Sequence, residues 1–77
     1  MAQAFVLIQT EVGKATVIAD RIRQLPGVVT AENVVGPYDV IARIDALGGD
    51  GLAPVVKDIQ HVTGITRTLT CEVAASS

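Results

Sequence analysis

The sequence has 77 residues, of which 49% are hydrophobic and 18% charged, and this composition is typical of one small globular domain. The length excludes two domains, because each half would be too small to close a core, so we expect residues 1–77 to form a single domain. Six basic and eight acidic residues give a net charge of −2 without a basic cluster, which argues against direct nucleic-acid binding.

So short a chain buries only about 60% of the surface that its unfolded form exposes. One cysteine, Cys71, cannot form an internal disulfide, and with the single histidine, His61, it makes a poor zinc site. We therefore predict no metal or other cofactor and expect self-association to supply the missing stability. A lone cysteine, no export signal and no long apolar run predict a cytoplasmic protein with no membrane partner.

The first half of the chain predicts a strand, a helix and a hairpin. Residues 2–9 are apolar and β-branched, which predicts a strand buried on both faces. Residues 13–24 then predict an amphipathic helix, which Pro26 and Gly27 end. The buried stripe of this helix comprises Ala15, Ile18, Ile22 and Leu25. Residues 28–35 and 40–47 predict two strands that pair as a hairpin around Gly36-Pro37.

The second half predicts a helix followed by a last strand. Residues 48–51 form a loop in which Asp50 is the expected cap of a helix that runs to about residue 62. Pro54 falls in the first turn, where proline is tolerated, and Gly64 ends the helix before a strand over residues 65–74. The predicted buried stripe of the helix comprises Leu52, Val55, Val56, Ile59 and Val62.

The resulting order is β-α-β-β-α-β, and a weak internal repeat supports it. Residues 22–28 resemble residues 59–65, and each copy is a helix end, a glycine and a strand start. Two such units predict an α+β ferredoxin-like sandwich: a four-stranded antiparallel sheet with both helices on one face. The strands carry more apolar side chains than one face can bury: Phe5, Val6, Leu7, Ile8, Val34, Val35, Val40 and Ile41. A second copy packed sheet to sheet, as in a dimeric α/β barrel, would cover the other face.

The hairpin tip is the most unusual segment of the sequence. It places Gly36, Pro37, Tyr38 and Asp39 together, and Tyr38 is one of two aromatic residues in the chain. Backbone amides near Gly36, the aromatic wall of Tyr38 and the carboxylate of Asp39 are the groups that hold a small zwitterion. The alternative is a plain hairpin in which Asp39 bonds the amides of its own turn.

The last strand offers a second candidate group. Strand alternation places Thr66, Thr68 and Thr70 on one face, where three hydroxyls could bind a ligand or face another copy. Threonine is also a favourable strand residue, so a structural role remains the alternative.

Catalytic groups are scarce. The loop at residues 48–51 lacks the lysine and hydroxyl of a phosphate-binding loop, and Cys71 is expected to act as a small hydrophobe on a core-facing strand. The only serines, Ser76 and Ser77, close the chain, so no Ser-His-Asp arrangement can be proposed. We predict no catalytic residues and no enzyme.

Two segments carry a family resemblance. The hairpin Gly36-Pro37-Tyr38-Asp39-Val40-Ile41 and the strand Gly64-Ile65-Thr66-Arg67-Thr68-Leu69-Thr70, with Leu52 and Val55-Val56 between them, resemble the regulatory domain of Lrp/AsnC transcription factors. That domain is also called the RAM domain (regulation of amino acid metabolism). The resemblance covers essentially the whole chain.

The resemblance implies a ferredoxin-like fold, dimers formed through the sheets and higher rings such as octamers or decamers. It also implies binding of an amino acid or related effector between dimers, and it carries over Gly36, Tyr38, Asp39, Thr66, Thr68 and Thr70 as ligand-binding candidates. Family members place a helix-turn-helix domain first, whereas the first strand here begins at Ala2. We therefore expect a stand-alone module that does not bind DNA directly but modulates full-length Lrp/AsnC regulators. Pro37 departs from the polar residue of relatives and removes one amide donor.

Other readings of the same topology remain open. An ACT-like regulatory module has this strand and helix order but is normally fused to an enzyme. A purely structural ring would need no ligand. A small dimeric ferredoxin-like oxygenase would need a cavity lined by aromatic residues and histidine, and the chain has 3% aromatic residues and one histidine.

Overall fold

The computed structural model describes residues 2–74. The elements are β1 (Gln3–Thr10), α1 (Ala15–Arg23), β2 (Val28–Asn33), β3 (Val40–Asp45), α2 (Ala53–Gln60) and β4 (Ile65–Glu72). All strand pairs are antiparallel, in the order β2-β3-β1-β4. The ferredoxin-like α+β fold predicted from the sequence is therefore confirmed. Ser76 and Ser77 lie outside the described residues.

The core lies between the two helices and one face of the sheet. The buried residues of the helices are Ile18, Ala19, Ile22, Leu52, Val55 and Ile59, and those of the sheet are Ala4, Val6, Ile8, Ala31, Val40, Ala42 and Ile44. Because strand residues alternate between faces, the remaining β1 side chains lie on the other side, where Phe5 is 42% exposed. The prediction that β1 is buried on both faces is wrong for the single chain.

The hairpin forms as predicted, although its strands are shorter than their apolar composition indicated. β2 ends at Asn33 and not at Val35, and β3 ends at Asp45 and not at Leu47. Pairing continues beyond the strand ends, because the Val34 amide donates to the Asp39 carbonyl at 2.9 Å. The turn itself is therefore residues 35–38, which keeps Gly36 and Pro37 at the tip.

The start of α2 differs from the prediction. Leu52 occupies the N-cap position without a side-chain hydrogen bond, so Asp50 is not the cap. The reason is a turn at the preceding glycines, in which the Gly51 amide donates to the Gly48 carbonyl at 3.1 Å and places Asp50 two residues before the cap. Pro54 lies in the first turn as expected, and the helix ends at Gln60, two residues earlier than predicted.

The internal repeat is visible in the backbone. Gly27 and Gly64 each follow a helix and have positive φ angles of 89° and 100°. Each carbonyl accepts a hydrogen bond of 2.8 Å from another element, from the amide of Asp45 and from that of Glu11 respectively. Both helix-to-strand connections are thus fixed to the end of a neighbouring strand in the same way.

Candidate functional site

The carboxylate of Asp39 connects the hairpin to the end of β1. Its Oδ2 atom accepts a hydrogen bond of 2.8 Å from the Thr10 amide and one of 3.4 Å from the Thr10 hydroxyl. Its own amide donates to the Ile8 carbonyl at 2.9 Å. Among residues 2–74, no hydrogen bond reaches Asp39 Oδ1. The side chain therefore ties the hairpin to β1 through Oδ2 alone.

A second contact fixes the tip of the same hairpin. The Gln9 side-chain amide donates to the Pro37 carbonyl at 2.8 Å. Tyr38 and Asp39 are partly buried, whereas Gly36 and Pro37 are exposed. The turn is thus positioned on the sheet while its Gly36-Pro37 backbone faces solvent.

Gln9 and Thr10 are functional candidates that sequence reasoning missed. They are the polar pair that ends the apolar run of β1, and this change of composition was the available signal. The contact with Asp39 spans 29 residues of sequence, so it follows only from the sheet pairing. The alternative was that Asp39 bonds the amides of its own turn. Instead, its Oδ2 atom accepts from Thr10 at the end of β1.

The threonine row comprises Thr66, Thr68 and Thr70 of β4, and the last two face the helix side of the sheet. Thr68 and Thr70 pair with Ile8 and Val6, whose side chains are buried under the helices. The Gln60 side chain donates to the Thr68 hydroxyl at 3.2 Å and divides the row. Thr66 and Thr68 border one shallow depression, and Thr70 borders a larger groove beside α2.

The hairpin and the threonine row do not meet within one chain. Val40, next to Asp39, and Thr68 pair with the same residue, Ile8, from opposite sides of β1. Two strand spacings separate these positions by about 10 Å. A ligand-binding role for Gly36, Tyr38, Asp39, Thr66, Thr68 and Thr70 remains a prediction.

The face of the sheet away from the helices, here called the open face, has an apolar centre. Leu7 lies between Ile41 and Leu69 across the strands, and Phe5 lies beside Cys71. Cys71 is exposed, so the expectation that it faces the core is wrong. The reason is register: Cys71 pairs with Phe5, a β1 residue that faces outward.

Other types of site find little support within residues 2–74. No group of three His, Cys, Asp or Glu side chains is placed to hold a metal ion there, and neither helix is long and apolar enough to cross a membrane. The basic residues are all exposed and are spread over α1, α2, the sheet and a loop. They do not form one basic surface.

The comparison with protein families is decisive for this chain. The model of the Lrp/AsnC ligand binding domain matches residues 3–75. The chain belongs to this family. The resemblance noted from the hairpin and the last strand is therefore confirmed.

Solved structures agree with this assignment. A Thermus thermophilus protein is 31% identical with a TM-score of 0.89, and the match covers 100% of this chain and 98% of that chain. E. coli AsnC matches with a TM-score of 0.84 at 21% identity, over 97% of this chain and 52% of AsnC. A Neisseria meningitidis transcriptional regulator in complex with L-Met matches with a TM-score of 0.79 at 18% identity, over 96% of this chain and 50% of that one. At these lower identities the similarity concerns the fold alone.

A curated relative is an enzyme. Homocitrate synthase of Sulfurisphaera tokodaii is 29% identical over 55 residues, which is 71% of this chain. The chain spans only 12% of that enzyme, so the similarity concerns a small part of the synthase.

Proposed function

We propose that this protein is a sensing and oligomerisation module of the Lrp/AsnC type. It binds an amino acid or a related small effector at the hairpin, forms at least a homodimer and does not contact DNA itself. The observation that carries the proposal is the match to the Lrp/AsnC ligand binding domain over residues 3–75. Its single exposed cysteine suits a reducing compartment, so we place it in the cytoplasm.

The hairpin supplies the chemistry for a zwitterion. Asp39 Oδ1 can accept from the ammonium of the effector, while Oδ2 stays with Thr10. The exposed backbone at Gly36 offers a donor for the carboxylate, and Tyr38 offers a flat wall. The L-Met complex of the neisserial regulator, which shares this fold, supports the amino-acid class of effector.

The open face supports self-association. Phe5, Leu69 and Val73 are 42%, 45% and 46% exposed in the single chain. Leu69 pairs with the central Leu7, and Val73 directly follows β4, where its amide donates to the Gln3 carbonyl. Burying an apolar cluster of this kind against a second copy removes it from water. Larger rings, such as octamers or decamers, would place hairpins of neighbouring dimers beside one another.

Regulation through partners fits the charge of the protein. DNA affinity comes mainly from phosphate contacts by clustered Lys and Arg. Here the net charge is −2 and the six basic residues are dispersed. We therefore propose that any effect on transcription passes through co-assembly with full-length Lrp/AsnC regulators, and that the protein is not an enzyme.

A thermal-shift panel of the twenty amino acids tests the effector proposal. An effector at ten times its dissociation constant stabilises the folded state by about 1.4 kcal/mol. For a domain of this size, each kcal/mol raises the melting temperature by about 4–8 °C. We expect at least one amino acid to raise the melting temperature by several degrees.

Asp39→Asn is the informative variant in this panel. Asparagine keeps an acceptor for the Thr10 amide but removes the charge, so the unliganded protein should melt as the wild type does while the shift is lost. Asp39→Ala should lower the melting temperature of the unliganded protein and also abolish the shift. Asp58→Asn, an exposed change on α2, is the matched control and should keep the shift. A panel without any shift, or a full shift in Asp39→Asn, would contradict the proposal.

The similarity to part of homocitrate synthase favours a second candidate. In this alternative the module regulates an enzyme, as an ACT-like domain does, instead of a transcription factor. Size-exclusion chromatography of the protein mixed with the Lrp/AsnC regulators of its own genome distinguishes the two. Co-elution supports the transcriptional role, and failure to co-elute with any of them favours the enzymatic partner.

A further inference from the structure

A groove of about 800 Å³ lies between α2 and β4, apart from the hairpin. It exists because the helix-facing residues of β4 are polar, whereas those of β1 are apolar and pack under the helices. On that face β4 presents Thr68, Thr70 and Glu72. The edge strand therefore stays open beside α2 and forms the floor of the groove, with Thr70 and Glu72 among its lining residues.

The two ends of the groove carry opposite charges. The carboxylates of Asp50 and Glu72 line it near the start of α2, and the ammonium of Lys57 lines it towards the end of the helix, beside the imidazole of His61. At 1.5 Å per helical residue, Lys57 and His61 lie about 6 and 12 Å beyond Ala53 along the axis. The wall between the ends includes the apolar side chain of Val56.

These charges are not neutralised by one another. Within residues 2–74 the ion pair present is that of Arg23 with Asp20, on α1. Lys57, Asp50 and Glu72 thus hold no salt bridge among the described residues, although they border the same groove. Opposite unpaired charges at a fixed separation, joined by an apolar wall, are complementary to a linear molecule with a charge at each end.

We propose that the groove between α2 and β4 is a binding site for linear ω-amino carboxylates. The ammonium lies at Asp50 and Glu72, the methylene chain lies along Val56, and the carboxylate lies at Lys57 and His61. An α-amino acid with an uncharged side chain carries both charges on one carbon and cannot reach both ends. This site does not depend on effector binding at the hairpin, because Asp39 does not border it.

The test is an NMR titration of the ¹⁵N-labelled protein with glycine, γ-aminobutyrate and ε-aminocaproate. Affinity should rise along this series, and ε-aminocaproate should bind at least roughly tenfold more tightly than glycine, since only it engages both charged ends. The amide signals that move should be those of Val56, Lys57 and Thr70. Equal response to all three compounds, or no response, would overturn the proposal.

Charge-removing variants complete the experiment. Lys57→Gln and Glu72→Gln should each weaken ε-aminocaproate binding roughly tenfold, because each removes one charged contact. Lys14→Gln and Glu11→Gln change exposed residues away from the groove and should bind as the wild type does. Asp39→Asn should also retain binding, which separates this site from the hairpin. Signals that move only around Gly36 and Asp39 would overturn the groove and support the hairpin instead.

Discussion

Gly27 shows how one residue fixes the position of a strand. Its φ of 89° lies in the left-handed region, which side chains other than glycine rarely adopt. A Cβ atom there would lie 2.6 Å from Val55 Cγ2 and 3.1 Å from the Asp45 carbonyl oxygen. Gly27 therefore lets the start of β2 approach both α2 and the end of β3.

Gly27→Ala should destabilise the protein by about 2–4 kcal/mol, combining left-handed backbone strain with overpacking against the buried Val55. Gly13 is the matched control, because its φ is 79° but a Cβ there would meet nothing within 4 Å. Gly13→Ala should cost only the backbone strain, about 1–2 kcal/mol. Urea unfolding of both variants measures the difference, and equal losses would contradict the packing argument.

At the residue scale, the sequence identified the chemistry of the hairpin but not its partners. Gly36, Tyr38 and Asp39 could be identified as candidates because a glycine, a rare aromatic residue and a carboxylate lie together at the hairpin tip. Thr10 could not, because its contact with Asp39 depends on the pairing of β1 with β3, 29 residues away. Asp50 was wrongly expected to be a cap, because the turn from Gly48 to Gly51, which contains Asp50, decides where α2 begins.

At the scale of elements, β1 contributes side chains to both faces of the sheet, the one that the helices cover and the open face. Ile8 is fully buried on the helix side, whereas its neighbour Leu7 lies on the open face between Ile41 and Leu69. The apolar, β-branched run of β1 and the periods of three and four in the helices were sufficient to predict the fold, although not which side chains of β1 are exposed. The division of the threonine row was not predictable, since it depends on where the Gln60 side chain lies.

Ile8→Ala should lower the free energy of unfolding by about 2–5 kcal/mol, because it leaves a cavity in the core between the sheet and the helices. Val17→Ala removes apolar atoms from a side chain on α1 that is 53% exposed, and it should change stability by no more than about 0.5 kcal/mol. Chemical denaturation at one fixed protein concentration compares the two. A loss in Val17→Ala as large as that in Ile8→Ala would contradict the assignment of the core.

At the scale of the whole molecule, one face of the sheet is covered by helices and the other is not. The apolar open face was predictable from the surplus of apolar strand residues, since two short helices cover only one side. The choice of a second copy as its cover does not follow from the fold alone. We propose it because a chain of 77 residues gains stability by self-association.

The molar mass in solution tests most directly whether a second copy covers the open face. Multi-angle light scattering at micromolar concentration should give at least twice the 8.0 kDa of one chain. Leu7→Lys places a charge at the centre of the open face and should reduce the mass to that of a monomer, while Lys14→Gln should leave it unchanged. A wild-type protein that remains monomeric at this concentration would contradict the account.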